Sequence, residues 1–183
     1  MSRKKQNKKR ESTLAALLKE KPKRGRPPRP VSRQNVYVTL TDTQKQEMKR
    51  LAGFLPGKLN RADVPDLAIS VLAARLEALR RAVADRTREI PEGITDLESL
   101  YLLWDLPLPT GEAEQKWTSL RVSPQQVIEL GRAHGTLHAA FGANKSQTFV
   151  LALALLAQFL ETESLGEAET LTEIRKKIFD IYL

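Results

Sequence analysis

His134 and His138 are four residues apart, a spacing that would place two imidazoles on one face of a helix, as metal sites require. The residues between them include no glutamate of the metalloprotease type, and no third ligand lies nearby in the sequence. The chain also lacks cysteine, a GxSxG sequence, a phosphate-binding P-loop and a GxGxxG loop. We therefore expect a protein that is not an enzyme and that binds neither a metal ion nor another cofactor, with the two histidines at the fraying end of a helix.

Basic residues are concentrated at the N-terminus of the chain. Of the 30 lysines and arginines in 183 residues, 13 lie in residues 1–33 beside only 2 acidic residues, whereas residues 34–183 hold 17 basic and 20 acidic residues. Such asymmetry is typical of a cationic tail that binds a polyanion. Because residues 1–33 contain too few apolar side chains to offset the entropy of ordering, we predict that they form a disordered arm.

The most specific part of this arm is residues 23–30, whose centre is Arg24-Gly25-Arg26-Pro27. This segment resembles an AT-hook, a motif that binds A·T-rich DNA. Glycine allows an extended backbone to approach the floor of the minor groove, and the two arginines are attracted to its negative potential. The alternatives are a plain basic tail or, for residues 3–10, a nuclear localisation signal.

Residues 34–88 have the pattern of one strand followed by two helices. Strict alternation after Asn35 predicts a short strand whose apolar side is formed by Val36, Val38 and Leu40. The apolar spacing then predicts a helix over 42–55 that Asp42 caps. After a Pro-Gly break, a second helix is expected to start between Asn60 and Pro65 and to end at about residue 88.

Residues 117–162 repeat this order of elements. The core side of the second expected strand consists of Thr118, Leu120 and Val122. These residues lie 82 positions after Val36, Val38 and Leu40 of the first strand. Ser123-Pro124 is the expected start of the next helix, Gly142 its expected end, and Asn144 the start of the last helix of the unit. Between the two units lies a connector over 89–116, and after them a C-terminal helix is expected within 163–183.

A strand and two helices cannot pair their strand edges alone, whereas two such units can. The chain resembles the ribbon-helix-helix family of DNA-binding proteins over about half its length, in two blocks. The resemblance implies a mainly α protein with a short antiparallel β-ribbon. Two ribbon-helix-helix repeats in one chain would then form a pseudo-dimer, whereas the family usually forms it from two chains.

By this resemblance, the solvent side of the ribbon enters the major groove of DNA, which is wide enough for two strands. The matching positions are Asn35, Tyr37, Thr39, Trp117, Ser119 and Arg121. Arg121 could pair with guanine and Asn35 with adenine. The family also binds phosphates at the start of the second helix, and the matching residues are Asn60, Arg61, Asn144, Lys145 and Ser146. The family usually has a small hydroxyl residue at the position that Ala62 occupies in the first unit. The first unit therefore departs from the family pattern there, and Asp63 follows.

Double-stranded DNA is thus the expected partner, bound selectively by a prokaryotic transcriptional regulator or an accessory factor for plasmid transfer, partition or replication. We expect such a protein in the cytoplasm, on the nucleoid. The longest apolar run, residues 149–157, is too short to cross a membrane. The alternatives are an antitoxin or protein-interaction module, for which the C-terminal helix could mediate self-association or partner binding, and an architectural nucleoid-type protein that binds mainly through its arm.

Overall fold

The computed structural model describes residues 32–84, 94–109 and 114–183. The prediction of a disordered arm and the AT-hook-like segment therefore lie outside the described residues, apart from residues 32 and 33. The elements follow the chain in the order β1 Gln34–Leu40, α1 Asp42–Ala52, α2 Val64–Ala84, α3 Leu97–Leu103, β2 Lys116–Val122, α4 Pro124–Phe141, α5 Lys145–Thr162 and α6 Leu171–Tyr182.

The two strands form one antiparallel sheet, and helices make up most of the rest of the described chain. This confirms the expectation of a mainly α protein with a short antiparallel β-ribbon. Along both strands buried and exposed residues alternate, so that one side of the ribbon faces the core. The core side comprises Val36, Val38, Leu40, Leu120 and Val122.

Helix α1 begins at Asp42, as predicted, but Thr41 is its N-cap. The Thr41 hydroxyl accepts a hydrogen bond from the Gln44 amide, and the Gln44 side chain accepts one from the Thr41 amide, which completes a capping box. The prediction that Asp42 caps this helix was therefore wrong. The helix ends at Ala52 rather than near Leu55, because the following residues form turns whose amides bond to carbonyls three residues earlier.

Three other helix boundaries are set by residues that were recognisable in the sequence. Pro124 is the first residue of α4, and Gly142 ends it with a left-handed backbone at φ 67°. Asn144 caps α5 through a capping box with Gln147. Helix α2 begins at Val64, within the predicted range of residues 60–65, and residues 61–63 before it form a turn.

Helix α2 lies at the centre of the core, where it packs against α4, α5 and α6. Its buried face runs from Val64 to Ala74, and α5 contributes an equally apolar surface that includes Leu151, Leu155 and Phe159. The C-terminal helix α6 buries Ile174 and Ile178. No helix of the described ranges is both long and apolar enough to cross a membrane.

The connector also contributes to the core. Helix α3 buries Leu100 and Tyr101, and the turn after it buries Trp104 and Leu106. The Gln158 side chain on α5 donates a hydrogen bond of 2.9 Å to the Trp104 carbonyl. The connector is thus part of the folded body over residues 97–106.

Neighbouring residues of β2 should respond to truncation in opposite ways, because their side chains lie on opposite sides of the ribbon. Leu120→Ala should lower the free energy of unfolding by about 2–5 kcal/mol, since the side chain is buried against the helices. Ser119→Ala, on the exposed side, should change it by less than about 0.5 kcal/mol. Urea denaturation measures both; equal effects would contradict the observed burial.

Candidate nucleic-acid interface

The six residues predicted to enter the major groove form three cross-strand pairs on the solvent side of the ribbon. The pairs are Asn35 with Arg121, Tyr37 with Ser119, and Thr39 with Trp117. Five of the six residues are exposed, and Thr39 is half-buried. The structure therefore brings all six predicted residues together on one continuous surface, which we call the reading face.

The strand register is symmetric with respect to the two units. Val36 pairs with Leu120, and Val38 pairs with Thr118. Because Thr118 and Leu120 are the counterparts of Val36 and Val38 at the 82-residue offset, exchanging the two units converts one pair into the other. Tyr37 lies opposite Ser119, its own counterpart at that offset. This is the register that two equivalent units would adopt around a two-fold axis through the centre of the ribbon.

At one end of the reading face, the Asn35–Arg121 pair presents unoccupied hydrogen-bonding groups. Both side chains are exposed, and neither forms a hydrogen bond or ion pair with any residue of the described ranges. A guanidinium with five free donors and an amide with both donor and acceptor can each form two hydrogen bonds to one base edge. This end is chemically suited to read bases.

At the opposite end, the polar groups of Thr39 are already bonded within the protein. Its amide donates to the Ser146 hydroxyl at 2.8 Å, and its own hydroxyl lies 2.8 Å from the Gln115 side-chain oxygen and 3.0 Å from Ser146. Trp117 is therefore the member of this pair with a free side chain. The contact also fixes the N-terminus of α5 beside the reading face.

The N-terminus of α5 carries three of the predicted phosphate contacts. The capping box uses the amides of Asn144 and Gln147, at 2.8 and 2.9 Å, so the amides of Lys145 and Ser146 are the first-turn donors that the cap does not take. The Lys145 side chain is exposed. Amide donors at a helix N-terminus beside a lysine suit a phosphate group.

The corresponding place before α2 is chemically different. Asn60 and Arg61 lie in the turn before the helix, where the Asn60 amide donates to the Asp63 carboxylate at 2.8 Å and the Ala62 amide donates to the Asn60 side chain at 3.0 Å. The Asp63 carboxylate thus takes the place that the Gln147 side chain has in the capping box of α5. It adds a negative charge beside this turn, which disfavours a phosphate there, although Asp63 is also paired with Arg33 and the Arg61 side chain is exposed.

A buried polar cluster holds the Asn35–Arg121 end of the ribbon in place. The Asp66 carboxylate accepts a hydrogen bond from the Ser123 amide at 2.9 Å and lies 3.5 Å from the Arg33 guanidinium, which also bonds to Asp63 and to the Ala62 carbonyl. Burial raises the pKa of Asp66, while Ser123 and Arg33 oppose this rise. The cluster joins the start of β1 and the end of β2 to the N-terminus of α2.

Sequence reasoning missed this cluster. The available signal was Asp66, an acidic residue in an apolar stretch of α2. A buried carboxylate requires a partner, and Arg33, the residue immediately before β1, was assigned to the basic arm instead.

The two histidines lie in the second half of α4, which ends at Phe141, and His138 belongs to its last turn. Their rings are 5.7 Å apart. The described residues contain no group of three or more histidine, aspartate or glutamate side chains that could bind a metal ion.

Comparison of the chain with family models, with curated proteins and with solved structures finds no match. The function must therefore be inferred from the chemistry of the reading face, of the helix N-termini beside it and of the basic arm.

The Asp66 cluster makes a prediction about stability. Asp66→Ala should lower the free energy of unfolding by about 1–3 kcal/mol, because it leaves the buried Ser123 amide without its acceptor and removes one of the two carboxylates beside Arg33. Asp66→Asn, which keeps an acceptor for Ser123, should cost less. Asp42→Ala is the matched control, since that carboxylate is exposed. The measurement is urea denaturation, and an Asp66→Ala protein as stable as the control would contradict the assigned role.

Proposed function

We propose that this protein binds double-stranded DNA selectively by inserting the reading face of its β-ribbon into the major groove. The observation that carries the proposal is the set of three exposed cross-strand pairs on one side of a ribbon whose other side is core. A two-stranded ribbon is narrow enough to enter the major groove, which is about 12 Å wide.

We propose further that the two units are ribbon-helix-helix repeats that form a pseudo-dimer within one chain. The order strand, helix, helix in residues 34–84 and again in 116–162 supports this, as does the symmetric strand register. A tandem arrangement allows the two halves to differ in sequence. The Asn35–Arg121 and Thr39–Trp117 pairs do differ, so the DNA site should be asymmetric.

Base selection is assigned chiefly to Arg121, whose guanidinium can donate to O6 and N7 of one guanine. Asn35 opposite it can pair with adenine in the same two-point manner. Thr39 contributes less than the sequence suggested, because its hydroxyl is held by Gln115 and Ser146.

Phosphate binding should be unequal in the two halves. In the second half, the amides of Lys145 and Ser146 and the Lys145 charge would hold a DNA phosphate beside the ribbon. In the first half, Asp63 leaves only the Arg61 side chain for this purpose. Phosphate contacts position the protein on the duplex without selecting its sequence.

The basic arm would supply affinity that is largely independent of sequence, and residues Arg24 to Pro27 would add a preference for A·T-rich minor groove. A protein of this kind would act in the prokaryotic cytoplasm, on the nucleoid, as a transcriptional regulator or as an accessory factor at a plasmid locus.

Removal of Arg121 tests the proposal at one base pair. A duplex site is first selected from random sequence with the parent protein. Arg121→Ala should bind this site with about 1–3 kcal/mol less free energy and should discriminate less between bases at a single position. Arg132→Ala is the control, because that arginine is an exposed residue of α4 and does not belong to the ribbon. Both variants should melt like the parent protein. The measurement is a titration against single-base variants of the selected site, and unaltered base preference in Arg121→Ala would refute the ribbon as reader.

A second test separates the AT-hook-like segment from the bulk charge of the arm. Replacing Arg24 and Arg26 by alanine should remove the preference for A·T-rich flanks, since these side chains would lie in the minor groove. Replacing Lys4 and Lys5, which removes the same charge, should weaken binding to all duplexes about equally. Competition with A·T-rich and G·C-rich duplexes distinguishes the two. If both double variants behave alike, residues 24–27 are an ordinary part of a basic tail.

A further inference from the structure

Two large aromatic side chains project from the reading face. Trp117 is 77% exposed and Tyr37 is 61% exposed. Tyr37 pairs with Ser119, two residues along β2 from Trp117, so the two rings are diagonal neighbours on one side of the ribbon. Neither ring stacks on another aromatic ring of the described ranges. Two neighbouring exposed aromatic rings on an otherwise polar face are suited to contact a partner.

We infer that Trp117, assisted by Tyr37, recognises the 5-methyl groups of thymine in the major groove. This inference rests on the proposed function, because it requires the ribbon to lie in that groove. Among the groups that base pairs present there, the thymine methyl is the apolar one, and apolar side chains select it by contact. With the Thr39 hydroxyl occupied, Trp117 is the residue of its pair that is free to make such a contact.

The two ends of the ribbon would therefore recognise different chemical groups of the bases. Arg121 and Trp117 are four residues apart on one strand, which corresponds to about 13 Å at about 3.3 Å per residue. At 3.4 Å per base pair, this distance spans about four base pairs. The site should thus have a guanine at one end and thymines about four base pairs away, in a fixed direction.

A different use of exposed aromatic rings is to stack on the bases of single-stranded nucleic acid. Such platforms combine the rings with a basic groove that follows the backbone. The lysine on the ribbon itself, Lys116, is instead paired with Asp42 at 3.4 Å and with Glu114 at 3.6 Å, and the exposed Lys145 lies on α5 beside one end of the reading face rather than along it. Arg121 and Asn35 on the same face have the geometry for paired base edges, which favours the duplex.

The experiment removes single methyl groups from the DNA. The full-length protein is titrated with its selected duplex and with duplexes in which each thymine is replaced in turn by deoxyuridine, which lacks the methyl group and keeps base pairing. Binding should weaken about fourfold at one or two thymines, the value expected for one apolar carbon removed from water. These thymines should lie about four base pairs from the position that Arg121 controls.

Protein variants then assign the effect to Trp117. In Trp117→Ala, the thymine and deoxyuridine duplexes should bind equally. Ile128→Ala removes an exposed apolar side chain from α4 and should retain the fourfold difference. Tyr37→Phe keeps the apolar ring and should also retain it.

The outcomes separate this inference from the proposed function. If every deoxyuridine duplex binds the parent protein as tightly as the thymine duplex, while Arg121→Ala still relaxes base preference, methyl recognition is wrong and the proposed function stands. Tighter binding of either single strand than of the duplex would also overturn it, in favour of base stacking. A protein that selects no duplex sequence would refute the proposed function and the inference with it.

Discussion

The pairing of β1 with β2 is the constraint on which the rest of the structure depends. Each strand by itself has two unpaired edges, and each helical pair has an apolar face without cover. Pairing satisfies one edge of each strand, and the antiparallel register places Val36, Val38, Leu120 and Val122 over the helices and leaves the alternate residues outside. The same step that completes the core therefore creates the exposed face to which we assign DNA binding.

The contacts that hold the ribbon differ at its two ends. At the Arg121 end, a buried carboxylate at Asp66 ties both strands to α2. At the Trp117 end, hydroxyl groups of Thr39 and Ser146 tie β1 to α5. An intrachain arrangement permits such differences, whereas a homodimer of identical chains would have to use the same residues at both ends.

The sequence predicted the elements that depend on local patterns. Period-two alternation located both strands, and Pro124, Gly142 and Asn144 marked helix boundaries through their backbone and capping preferences. Contacts between residues far apart in the sequence could not be predicted in this way. Nothing local distinguishes Arg33, a buried partner of Asp66, from the other arginines of the arm, and Thr39 looked like a free reader because its partner Ser146 is 107 residues away.

The central claim is that the ribbon lies in the major groove, and methylation of guanine N7 by dimethyl sulfate tests it most directly. Guanine N7 faces the major groove, whereas adenine N3, which the same reagent methylates, faces the minor groove. With the selected duplex, we expect the bound protein to protect guanine N7 at the position that Arg121 controls. The Arg121→Ala protein should leave the guanine that Arg121 contacts open to methylation. Comparison of the two proteins therefore identifies the guanine that Arg121 protects. A bound complex in which every guanine N7 stays as reactive as in free DNA would contradict the account.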